Sequence, residues 1–204
     1  MPAKKPKGKL VKVARYRVKF NDVFDMKAFY ESLHEWCKEY DWIDEEDGFD
    51  HYETLYLDKT DMNGMKEMWI KWRPSKIPTA NSYYKYHLDF DYHVVGMSKK
   101  EIIHQGHKKK IDKGEVEIYI TAQMELDYTG TWSSHPILKY FNKLFPERIF
   151  RKELFEQHKK ELYREAYALQ RFIKEWLKLK RYLPYEEAKS FFPSEAIPSH
   201  LKNE

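Results

Sequence analysis

The chain has 204 residues, a formal net charge of +4, 17% aromatic residues and a single cysteine. That length suits one domain with a core of its own. One cysteine excludes an intramolecular disulfide and a thiolate zinc cluster, and it suits a reducing, cytoplasmic setting. No run of about 18 apolar residues exists to span a bilayer, and the N-terminus lacks the apolar centre of a signal peptide.

Charge is unevenly spread along the chain. Residues 1–20 carry eight Lys or Arg and no acid, residues 21–63 carry fourteen acids against three Lys, and residues 131–204 carry fifteen bases against ten acids. Residues 1–9, with two prolines, one glycine and four lysines, have nothing to bury and read as a disordered basic arm. Leu10 to Phe20 then alternates as a first strand, with Leu10, Lys12, Ala14, Tyr16, Val18 and Phe20 as its inner set. Asp25 is placed to cap a helix on which Phe29, Leu33, Trp36, Cys37 and Tyr40 recur at spacings of three and four. Cys37, on that apolar stripe, reads as a buried structural thiol.

Tyr52 to Asp58 and Glu67 to Arg73 form a hairpin pattern around Asp61-Met62-Asn63-Gly64, where Asn-Gly supplies a positive φ at little cost. Two strictly alternating runs follow, Tyr84-Tyr86-Leu88-Phe90-Tyr92-Val94 and Val116-Ile118-Ile120-Ala122-Met124-Leu126-Tyr128. Period two with charge between the apolar positions describes a half-buried antiparallel sheet. Gly96 is expected to reverse the first run into residues 99–111, and Asp112-Lys113-Gly114 to turn the chain again. Glu115, Glu117, Glu125 and Asp127 then fall on the face opposite the apolar row, which should be wet. Ser133 or Ser134 is placed to cap a short helix through Leu144, and Pro146 begins a longer one. From Glu147 to about Arg181 the stripe Phe155, Leu162, Ala166, Leu169, Ile173 and Trp176 keeps helical spacing, for a length of about 50 Å at 1.5 Å per residue. Residues 10–182 thus read as a single α+β domain, and residues 183–204 as a loosely docked tail.

Strand, helix, a meander of about five strands and a long C-terminal helix is an order in which short connections favour sequential antiparallel pairing. Together with the Glu115-Val116-Glu117-Ile118 strand and the Phe145-Pro146-Glu147-Arg148 helix start, it resembles the helix-grip fold of the START-like (SRPBCC) superfamily, which includes plant pathogenesis-related allergens and polyketide cyclases. The resemblance covers roughly residues 10–181. It implies a curled sheet of about six strands on a long C-terminal helix, and leaves residues 41–50 or 74–82 to supply a further element. It also implies an apolar cavity between sheet and helix for a lipid-like or aromatic ligand, and the chain is expected to bind such a molecule without catalysis. The inner-face residues that would line it are Tyr84, Tyr86, Phe90, Tyr92, His104, Ile120 and Met124.

His87, Asp89, Asp91 and His93 share the opposite face of the first long strand and are metal-ligating residue types. A turn at Gly96 would gather His87, Asp89, Gln105 and His107, although a salt-bridged outer surface accounts for the same residues. His158, on the stripe of the long helix, reads as a core or rim histidine. No nucleophile elbow, phosphate-binding glycine loop or dinucleotide fingerprint occurs, so no enzyme activity and no cofactor are argued for. The alternative reading is a nucleic-acid or ribosome-associated protein using the arm lysines Lys4, Lys5, Lys7 and Lys9, with Lys174, Lys178, Lys180 and Arg181 on the long helix.

Overall fold

The structure is a computed structural model, described over residues 8–43, 52–78, 83–104, 107–136 and 151–178, with side chains outside 102–109 and 151–154. Its elements are β1 (Lys9–Phe24), α1 (Met26–Glu39), β2 (Glu53–Thr60), β3 (Lys66–Trp72), β4 (Ser75–Lys76), β5 (Tyr84–His104), β6 (His107–Leu126), α2 (Thr131–Ser134) and α3 (Arg151–Trp176). The strands make one curled, six-stranded antiparallel sheet in the order β1-β6-β5-β3-β2, with β4 beside β5. The short β4 falls within residues 74–82, one of the two segments with room for a further element.

The apolar rows of β5 and β6 go inward together. Tyr86 faces Met124, Leu88 faces Ala122, Phe90 faces Ile120 and Tyr92 faces Ile118, and all eight side chains are buried. Burying such rows against one another is the main stabilising term for a sheet of this kind. The outer face is laced by ion pairs, among them Arg17 with Glu117, Lys19 with Glu115 and Arg73 with Asp91.

Two expected turns are not turns. β5 runs straight through Gly96 and β6 through Asp112-Lys113-Gly114, with His104 paired to His107 at the far end. Gly96, at φ +63°, sits in a bulge where the register shifts between Val95 and Ser98. A glycine at positive φ serves a bulge as readily as a reversal, and the bulge bends the strand. Gly114 lies against it, so close that a Cβ there would come within 2.9 Å of Met97 Cα.

A bulge in β1 between Lys12 and Ala14 also corrects the expected inner set. Beyond it Val11 pairs with Met124 while Leu10 and Lys12 pair with Glu125 and Gln123, so Leu10 and Lys12 belong to the outer face. The ordered pairing begins earlier than expected, with Lys9 opposite Leu126 and the Gly8 amide donating to Glu125 Oε1 at 2.8 Å. Glu125 and Asp127 are buried, contrary to the expected wet face. Glu125 holds Gly8 and His87, and Asp127, at φ +57°, accepts from the backbone amides of Trp132 and Ser133 at the start of α2. Gly130 is the N-cap of α2, and helix resumes at Pro136 after His135, where the described residues end.

Asp25 caps α1 as its type predicts, its Oδ1 accepting from the Ala28 amide at 3.1 Å. Phe29, Leu33, Trp36 and Cys37 are buried, and burial pushes the Cys37 thiol far above its usual range, so it stays a neutral packing group. On α3, Leu162, Ala166, Leu169 and Ile173 are buried, Tyr16 donates to the Ala166 carbonyl at 2.8 Å, and Trp176 Nε1 donates to Ser32 Oγ at 3.0 Å. The expected ends of this helix at 147–150 and 179–181, most of the 133–144 helix, the arm residues 1–7 and the 183–204 tail lie outside the described residues. No helix among the described residues is long and apolar enough to cross a membrane.

Candidate functional site

Register shifts on both sides of β5 mark one bulge around Gly96, against β6 between Val95 and Ser98 and against β3 where Lys66 pairs with Met97 and Met68 with Val94. The local bend it imposes leaves an open cleft of about 350 Å³ between this part of the sheet and the first turn of α1. Its apolar lining is Met26 and Tyr30 of α1, Tyr56 of β2, Met68 and Ile70 of β3, and Met97 in the β5 bulge. Lys27, Asp58, Lys66, Lys99 and Asp112 form its polar rim. Volume and lining match those of pockets that accept a small molecule, and three flexible thioethers let the walls adapt to its shape.

Four of the five rim charges pair with one another. Lys66 pairs with Asp58 at 2.8 Å and Lys99 with Asp112 at 2.6 Å. Asp112 is buried, and its second oxygen accepts from the Met26 amide at 3.3 Å, tying the start of α1 to β6. Tyr30 forms the inner wall: its hydroxyl donates to Glu53 and accepts from Trp72 Nε1 at 2.9 Å. Burial, reinforced by the Glu53 carboxylate, keeps this hydroxyl protonated well beyond the usual phenol range. Tyr92 packs behind it, with ring centroids 6.2 Å apart, and its buried hydroxyl has no hydrogen-bond partner among the described residues.

None of the residues expected to line a ligand cavity whose side chains are described borders this cleft. Tyr84, Tyr86, Phe90, Tyr92, Ile120 and Met124 are all core side chains, and His104 has no described side chain. Tyr86 enters a polar cluster with α3: its hydroxyl lies 2.6 Å from His158 Nδ1 and 3.0 Å from Glu161 Oε2, while the His158 ring packs 4.6 Å from that of Tyr84. Beside it Lys76 of β4 pairs with Glu165 at 2.8 Å. Burial raises the Glu165 carboxyl above its usual range, opposed by Lys76 and by Trp42. His158 is therefore a hydrogen-bonded, buried rim histidine.

The conjectured metal set does not assemble. The register puts His87 opposite Gln123 and Asp89 opposite Thr121, whereas His107 pairs with His104 at the other end of the hairpin. His87 Nε2 lies 2.7 Å from Glu125, and Asp89 accepts from Gln123 at 3.0 Å with Arg73 3.6 Å away. Burial raises the Asp89 carboxyl in spite of Arg73. Among the described residues no three His, Cys, Asp or Glu side chains gather as a metal site. Of the arm lysines, Lys9 lies in β1 and Lys4, Lys5 and Lys7 fall outside the described residues.

The cleft was invisible to periodicity because its lining comes from five separate elements. The available signal was methionine: Met26, Met68 and Met97 are three of the seven in the chain. Comparison with protein-family models, with curated proteins and with solved structures finds no match.

Proposed function

We propose that the chain is a helix-grip-like domain, with α3 lying along the concave face of the sheet, and that it binds a hydrophobic or aromatic small molecule without catalysis. The binding place is the cleft between α1 and the sheet at the β5 bulge. The observation that carries this reading is the cleft's Met26, Met68, Ile70 and Met97 wall beside a rim of fixed charges. An apolar ligand body gains by leaving water against that wall, and the rim offers a polar end its partners. The contacts of Tyr16, Lys76 and Trp176 with or around α3 support the grip arrangement.

Native mass spectrometry of the purified protein tests it. A co-purifying molecule of low mass should appear on the wild type and vanish when Met97→Trp fills the cleft, with the folded charge-state distribution kept. A clean unliganded mass, together with no saturable binding of an anilinonaphthalene sulfonate probe, would contradict the reading.

A further inference from the structure

Several cations of the sheet, Arg17, Lys19, Lys66, Arg73, Lys76 and Lys99, are neutralised by the acids described above. α3 instead gathers cations in a row. Lys160, Arg164, Arg171 and Lys174 follow spacings of three, four and seven, which at 100° per residue places them on one face of the helix. None of the four forms an ion pair among the described residues. Glu161 and Glu165 lie on the other flank, where they engage Tyr86 and Lys76, while Glu156, which pairs with Lys159, and Glu175 flank the two ends of the row.

Two tyrosines stand within the basic row. Tyr163 and Tyr167, one turn apart, have ring centroids 4.4 Å from each other and are 47% and 37% exposed. Tyr16 backs Tyr167 at 6.0 Å, so the pair has a fixed footing on the sheet. We propose that this face of α3 is a binding site for single-stranded nucleic acid, with Lys160, Arg164, Arg171 and Lys174 along the phosphates and Tyr163 and Tyr167 stacking on unpaired bases. Unpaired cations in a row complement a polyanion, and exposed rings among them supply the sequence-tolerant stacking that such proteins use. An anionic membrane fits less well, because Leu162, Leu169 and Ile173 are buried and the exposed large apolar side chains described on α3 are both tyrosine. The site is separate from the cleft, and neither depends on the other.

Fluorescence anisotropy with labelled twenty-nucleotide oligo(U) and oligo(dT), titrated with salt, tests this. Four phosphate contacts predict a log–log salt slope of about −3, and Lys160→Gln with Arg164→Gln should flatten it by about 1.4. Tyr163→Ala with Tyr167→Ala should weaken binding roughly tenfold or more at an unchanged slope, with Phe at both positions restoring it. Unchanged melting temperatures confirm that these surface variants are folded, and Tyr163→Ala alone, away from Tyr16, serves if the double variant is not. Three results would overturn the site: no salt-sensitive binding, a duplex bound as tightly as the single strand with no effect of the tyrosines, or binding to phosphatidylserine vesicles but not to oligonucleotides.

Discussion

Gly96 and Gly114 show how one residue type does two jobs on facing strands. Gly96 has open space around its Cα but a φ of +63°, so a side chain there is disfavoured by backbone conformation alone. Gly114 has an ordinary φ but no room, because Met97 backbone lies 2.9 Å from where its Cβ would go. Gly114→Ala should therefore cost about 1 to 3 kcal/mol by overpacking. Gly96→Ala should cost about 1 to 2 kcal/mol through backbone strain, and Gly96→Asn less, since Asn tolerates that conformation. Urea unfolding of the three variants checks both mechanisms, and equal losses at Gly96→Ala and Gly96→Asn would contradict the strain account. The same two glycines mark the limit of what sequence says here. Alternation from Tyr84 to Val94 and from Val116 to Met124 correctly assigns the inner face, because a period of two follows directly from pleating. A lone glycine in a strand does not say whether the chain bends or reverses. Pairing partners decide that, and they are remote in sequence. Glu125 and Asp127 were misread for a related reason, since the groups that satisfy them come from Gly8, His87 and Ser133.

At the scale of the element, β4 and α3 are joined by a charge pair whose two members have unequal solvation. Glu165 has its carboxyl raised above 4.5 by burial, with Lys76 and Trp42 acting in the opposite sense. A folded state that keeps this proton to higher pH than the unfolded chain is most stable below about pH 4.5 with respect to this group. It loses that contribution as pH rises through the folded value. Replacing Lys76 by Met removes the main counter-charge, so the folded value should rise further and the loss should extend to higher pH. The destabilisation of Lys76→Met relative to wild type, measured by urea unfolding, should thus be larger at pH 7.5 than at pH 4.5. An equal difference at both pH values would show that the Lys76 charge does not govern Glu165. Helical spacing made the buried stripe of α3 legible, from Leu162 to Ile173, while its polar flank became interpretable only once β4 and β5 were placed beside it.

For the molecule as a whole, the basic N-terminal segment and the acidic strand of residues 115–125 are neighbours, and Arg17 and Lys19 pair with Glu117 and Glu115 across the β1–β6 ladder. Arg17 and Lys19 are thereby neutralised in the sheet, whereas the row Lys160, Arg164, Arg171 and Lys174 on α3 has no ion pair among the described residues. The cleft has the opposite origin: it draws on α1, β2, β3, β5 and β6, and only the bulged sheet brings Met26, Met68 and Met97 together. Methyl-labelled methionine offers the most direct test of the central claim, because these three residues line the cleft while Met124 sits in the core between β5, β1 and β6. On titration with an anilinonaphthalene sulfonate probe, the methyl resonances of Met26, Met68 and Met97 should shift in a saturable way and that of Met124 should stay in place. A saturable shift of Met124 with the other three unmoved would contradict the cleft as the binding site.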